Sequence, residues 1–76
     1  MEEFVGYLVK NMVNLPEQVD IRSVEGQSGL LIEIRVASED IGKVVGRKGN
    51  IIRSLRTLAM IIGARLGRRI HLEIIQ

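Results

Sequence analysis

Apolar residues recur at helical spacing near the start of the chain: Phe4, Leu8 and Met12, widened by Val5, Val9 and Val13. That spacing predicts an amphipathic helix over 2–14. Glu2 and Glu3 suit the positive end of its dipole. Pro16 closes it, because proline pushes the preceding residue out of helical geometry. Alternation takes over at 18–25, where Val19 and Ile21 point one way and Asp20 and Arg22 the other. It is cleaner at 30–37. There Leu30, Ile32, Ile34 and Val36 share one face, and Leu31, Glu33, Arg35 and Ala37 share the opposite one. Gly26-Gln27-Ser28-Gly29 lies between the two runs and predicts a hairpin turn.

Helical spacing then returns. Ser38 reads as an N-cap, with Glu39 and Asp40 in the first turn of a short helix over 39–45. Ile41, Val44 and Val45 would point inward, and Gly46 stops the helix. A longer helix is predicted from Asn50, a good cap, to Leu66. Its apolar stripe is Ile51, Ile52, Leu55, Leu58, Ala59, Ile62 and Leu66, and Gly67 stands where a C-cap glycine belongs. Residues 69–75 predict a last strand with Ile70, Leu72 and Ile74 on one face. The order helix, strand, strand, helix, helix, strand predicts an α+β fold in two layers, with three helices on one face of a three-stranded sheet.

Length makes 1–76 a single domain. A chain this short buries only about 60% of the surface it exposes when unfolded, so it needs an efficient core, a partner, or both. The absence of cysteine excludes disulfides and thiolate metal sites, and favours a reducing compartment. The acidic MEEFVGYLVK start is unlike a signal peptide, and no apolar run approaches the ~20 residues of a membrane span. A cytoplasmic protein with no membrane partner is expected.

Charge changes the picture more. The net charge is only +2, yet residues 1–41 hold eight acids and three bases, and residues 42–76 hold eight bases and one acid. The halves therefore carry −5 and +7. Two explanations compete: the halves attract each other, or the basic half meets an anionic ligand. Clustering of the bases around a glycine turn favours the second.

That turn is VVGRKGNII, residues 44–52. GxxG by itself carries little information, since eight glycines in 76 residues make one chance occurrence expected. The chain has two. Gly26-Gln27-Ser28-Gly29 has no cation and sits between strands. Gly46-Arg47-Lys48-Gly49 joins two helices and carries two cations at its tip. Glycine lets the backbone turn tightly and lets another backbone come close. Free N–H groups at the start of the following helix, and its positive dipole end, face the same region. Together these make a site for a phosphodiester backbone. Ile41, Val44, Val45, Ile51 and Ile52 are candidates for a groove against which unstacked bases lie. Lys43, Arg53 and Arg56 are candidate phosphate contacts, each balanced against a solvated face. Phe4 and Tyr7 are the only aromatics, so stacking platforms are absent.

Other phosphate motifs fail. A Walker loop opening at Gly42 would need glycine at 47, where Arg47 stands. The dinucleotide fingerprint would need glycine at 44, where Val44 stands. His71 alternates with Ile70 and Leu72, which makes it a strand-face residue rather than a ligand or base. Arg65, Arg68 and Arg69 surround a helix end that favours cations. Gly63 and Gly67 fit close packing and a C-cap better than a dimer contact that includes Met60. No metal, cofactor or catalytic residue is expected, and an enzyme is the weakest of the readings.

The segment Ile41-Gly42-Lys43-Val44-Val45-Gly46-Arg47-Lys48-Gly49-Asn50-Ile51-Ile52 resembles the signature of a KH domain, and the helix-strand-strand order before it resembles the bacterial type II arrangement. The whole chain resembles the small bacterial stand-alone KH proteins of the KH-domain protein A family. That resemblance implies binding of about four nucleotides of single-stranded RNA or DNA. Gly46, Arg47, Lys48 and Gly49 would be the clamp, and the five aliphatics the groove. It further implies a broad-repertoire RNA-binding protein or chaperone. The family works as a homodimer or with a larger KH-containing partner, linked to cell elongation and division. A protein-docking module with an idle clamp is the competing reading.

Overall fold

The computed structural model describes residues 1–76. The chain forms α1 (Glu2–Lys10), β1 (Asp20–Gly26), β2 (Gly29–Arg35), α2 (Ile41–Val45), α3 (Asn50–Leu66) and β3 (Ile70–Ile74). Short 3-10 turns occupy Pro16–Gln18, Ser38–Asp40 and Arg47–Gly49. Strand order is β1-β2-β3. The hairpin pair β1 and β2 is antiparallel, and β2 runs parallel to β3. A parallel pair needs a long crossover, and the two helices α2 and α3 supply it. The result is the expected two-layer α+β fold, consistent with the type II KH arrangement.

Alternation holds within β2, but the strand ends at Arg35, and Ala37, expected on the open face, is buried beyond it. Ile32 and Ile34 are fully buried and face Ile70 and Leu72 of β3, Val5 and Val9 of α1, Val44 of α2, and Ile52, Leu55 and Ala59 of α3. Every helix therefore meets the same face of the sheet. Leu31, Glu33 and Arg35 take the open face, in register with His71 and Glu73 of β3. His71 is exposed there, as its alternation predicts.

The first helix is shorter than predicted. It ends at Lys10, where Asn11 turns back and its side-chain amide donates to the Tyr7 carbonyl at 2.8 Å. Its buried line is Val5, Gly6 and Val9, so the inward face is centred one position away from Phe4, which is exposed. Gly6 lies against Ile21 of β1. Pro16 opens a 3-10 turn, which delays β1 to Asp20.

Ser38 caps nothing with its side chain, and Asp40 is no solvated first-turn acid. Asp40 is completely buried. Its carboxylate accepts the backbone N–H groups of Asn14 at 3.1 Å and Leu15 at 2.9 Å. A buried carboxylate holding two backbone donors is a strong tie. It fastens the segment after α1 to the start of α2. Sequence spacing could not show this, because the partners lie 25 and 26 residues apart.

In α3 the buried positions are Ile52, Leu55, Ala59 and Gly63. Ile51, Leu58 and Leu66, all placed in the predicted stripe, stay exposed at 39%, 44% and 63%. The stripe is rotated toward β3 because Gly63 permits it: a Cβ there would lie 2.6 Å from the Arg68 carbonyl and 3.1 Å from Ile70. Gly63 thus serves packing within the chain, and Gly67 ends the helix in left-handed geometry.

Candidate nucleic-acid interface

The turn between α2 and α3 is built from an interrupted helix. The Gly46 N–H still donates to the Gly42 carbonyl at 2.9 Å, so α2 closes normally. Gly46 then takes φ 79°, ψ 175°. No other residue fits: a Cβ would lie 2.5 Å from Cγ1 of Ile51. One tight turn follows, closed by the Gly49 N–H to the Gly46 carbonyl at 3.1 Å. Lys48 is the one non-glycine residue of the chain with positive φ, at 55°. α3 begins directly afterwards.

Asn50 is the first residue of α3 rather than its cap; Gly49, in left-handed geometry, occupies the cap position. The Asn50 side chain instead accepts Nη1 of Arg53 at 2.9 Å, while Nη2 of the same arginine donates to the Lys48 carbonyl at 3.2 Å. Arg53 therefore braces the left-handed residue from behind. A non-glycine in that geometry costs about 1–2 kcal/mol, comparable to what such hydrogen bonds return.

Arg47 and Lys48 are exposed and have no side-chain hydrogen bond or ion pair, and the same holds for Lys43 on α2. This separates the two explanations of the charge asymmetry. Two of the three ion pairs, Arg22–Asp20 and Arg35–Glu33, lie inside the acidic half. Only Arg68–Glu25 joins the halves. The basic half is left almost entirely unneutralised.

The five aliphatics predicted as a groove are divided by the fold. Val44 and Ile52 are core residues, because the face of each helix that carries them packs on the sheet. Ile41 and Val45 are half-buried, and Ile51 folds beneath Gly46. None of the five lines the main concavity. That concavity, about 870 Å³, lies between α3 and the free edge of β3. Arg56, Met60 and Ala64 form its helical wall, and Ile70, His71, Leu72 and Glu73 its strand wall. Arg53, Arg56, Met60 and Ala64 recur at spacings of three, four and four, so one flank of α3 leads from the turn into the groove.

Arg53 and Arg56 share that flank, as their spacing predicts, but have different tasks. Arg53 braces the turn. Arg56 crosses the groove and donates from Nε to the Leu72 carbonyl at 3.2 Å, on the outer edge of the sheet. Sequence reasoning missed the β3 edge altogether. The signal that could have found it is the parallel crossover, which puts the last strand at the margin of the sheet.

A family model described as the KhpA/KhpB KH domain matches residues 2–74. RNA-binding protein KhpA of Chlamydia pneumoniae is 41% identical over 76 residues, covering 100% of this chain and 97% of the relative. RNA-binding protein KhpA of Aquifex aeolicus is 36% identical over 76 residues, covering 100% and 96%. RNA-binding protein KhpA of Borreliella burgdorferi is 37% identical over 73 residues, covering 96% and 89%.

Proposed function

The chain belongs to the KhpA/KhpB family of KH domains, and on that premise we propose that it binds single-stranded RNA, holding the backbone at Gly46-Arg47-Lys48-Gly49. One observation carries the proposal: two unpaired cations project from a glycine-shaped turn at the start of a 17-residue helix. The cations attract the strand, and the N–H groups and dipole of α3 receive a phosphate. Lys43 adds attraction from α2, and Arg53 and Arg56 continue the basic line along α3. Bases then lie over the aliphatic shoulder of Ile41, Val45 and Ile51 and against the α3–β3 groove.

A site of about four nucleotides without aromatic platforms binds weakly and broadly, which suits a chaperone or general regulator in the reducing cytoplasm. The decisive comparison is native protein against an Arg47→Asp, Lys48→Asp variant of unchanged folding. Fluorescence anisotropy over a salt series, with single-stranded DNA as competitor, reads the result. The native protein is expected to show a log–log salt slope of about −3 to −4, for four to six neutralised phosphates. The variant is expected to lose about a hundredfold in affinity. Equal binding by both would leave the turn structural.

A second property follows from the exposed Leu58, Ile61 and Leu66 of α3. Self-association through this helix would cover apolar surface that the fold leaves open, and two linked sites would bind RNA more tightly. Sedimentation velocity is expected to show a dimer that Leu58→Lys dissociates. A native monomer at all concentrations would refute it and leave the larger KH-containing partner as the occupant.

A further inference from the structure

At the far end of α3 the groove runs into a second basic corner. Arg68 and Arg69, in the turn between α3 and β3, close the groove together with Ser28 of the hairpin. A second hollow of about 460 Å³ opens directly beyond, lined by no hydrophobic residue and sharing Ser28, Arg68 and Arg69 with the first. The corner is rigid. The Leu30 N–H donates to the Arg69 carbonyl at 2.8 Å, and Gly29 packs so closely that a Cβ would lie 2.4 Å from that oxygen. Arg68 is bound to Glu25. Arg69 is exposed and has no side-chain partner.

We infer that the Arg69 corner is a second backbone anchor for the RNA strand held at the Gly46–Gly49 turn, so that the footprint extends along the whole of α3. This inference rests on the proposed function. It follows from continuity and charge. A flank of α3 leads from the turn into the groove, and an unpaired arginine waits where the groove ends. The apolar stretch between, at Met60 and Ala64, suits bases, and the polar hollow beyond suits phosphate. The negative end of the α3 dipole lies nearby, equivalent to about half a charge, and a full cation outweighs it. Glu73 is the one acid that lines the groove, on its strand wall. Distance makes the idea testable. The 17 residues of α3 span about 25 Å at 1.5 Å each. Four nucleotides cover about 10 Å when stacked at 3.4 Å each, and about twice that when drawn out. A tetranucleotide held at the turn stops short of Arg69, and a longer strand reaches it.

The test measures binding of RNAs of about four and about ten nucleotides to the native protein and to Arg69→Gln. That substitution keeps the backbone bond to Leu30. A second variant, Arg65→Gln, makes the same charge change off the groove. Arg69→Gln is expected to weaken the longer RNA by about three- to tenfold and to flatten its salt slope by about 0.7, one phosphate's worth. The tetranucleotide is expected to bind Arg69→Gln and native protein alike, and Arg65→Gln is expected to match native protein on both lengths. Equal losses on both RNAs, no loss on either, or the same loss in Arg65→Gln would overturn the second anchor while leaving the clamp standing. Native protein that binds neither RNA would overturn both.

Discussion

The same four-residue pattern occurs twice, and the two copies do different work. In Gly26-Gln27-Ser28-Gly29 the glycines pair with each other across a hairpin, and Gly29 is shaped by a backbone carbonyl of the chain itself. In Gly46-Arg47-Lys48-Gly49 the glycines separate two helices, and the tip meets solvent with two unpaired cations. One glycine of each motif, Gly29 and Gly46, is obligatory for the same steric reason: a positive φ and no room for a Cβ. What differs is where the freed backbone points. Strands absorb the turn's polar groups into their ladder, whereas the start of a helix leaves donors without partners. A GxxG pattern therefore reports a tight backbone, and its neighbours decide whether that backbone is available to a ligand.

The largest expected effect comes from testing the shared steric demand. Gly29→Ala and Gly46→Ala each force a Cβ into contact below 3 Å at a positive φ. Each is expected to cost about 3 kcal/mol or more, the sum of strain and overpacking, read as a lowered urea midpoint. The comparison sharpens if the folded fraction of Gly29→Ala still binds a short RNA and that of Gly46→Ala does not. It breaks if both lose binding equally.

A middle-sized effect is expected from Arg53→Gln. The brace on Lys48 is worth about 1 kcal/mol, so binding is expected to fall about fivefold while the global unfolding free energy barely moves. Amide exchange at Lys48 and Gly49 without RNA is the discriminating measurement. Faster exchange marks a loosened turn, and unchanged exchange would reduce Arg53 to a simple phosphate contact.

The smallest effect belongs to the hairpin. The hydrogen bond and charge of Arg68 hold the Glu25 carboxyl below its ordinary value of 4.5. A lowered carboxyl pKa stabilises the fold above the unfolded value and loses that contribution as pH falls through the folded one. Thermal midpoints of Glu25→Gln and native protein are thus expected to differ slightly at pH 7 and to converge as pH falls below 4.5. The pair is exposed, so the difference is small and shrinks with salt. Persistence of the difference at low pH would mean that Glu25 acts through packing.

What the sequence determined by itself was the order of the elements and most of the local geometry, although it misplaced the caps at Ser38 and Asn50 and the end of α1. Alternation of Ile32 and Ile34, the glycine stop at Gly46, the C-cap at Gly67 and the order of the six elements were legible because local geometry repeats every two or 3.6 residues. The charge asymmetry and the double cation of the turn were legible for the same reason. Tertiary structure alone decided which apolar residues are hidden. Of the stripe predicted on α3, Ile52, Leu55 and Ala59 went into the core while Ile51, Leu58 and Leu66 stayed out, because burial depends on which way a helix is rolled against the sheet, and Gly63 lets α3 lie close to the Arg68 carbonyl and Ile70. It also decided that Asp40 ties down Asn14 and Leu15, and that Arg56 reaches Leu72. These pairings join residues far apart in the chain, where no periodicity operates. The groove belongs to the same class, since its two walls meet only once the crossover has placed β3 at the edge of the sheet.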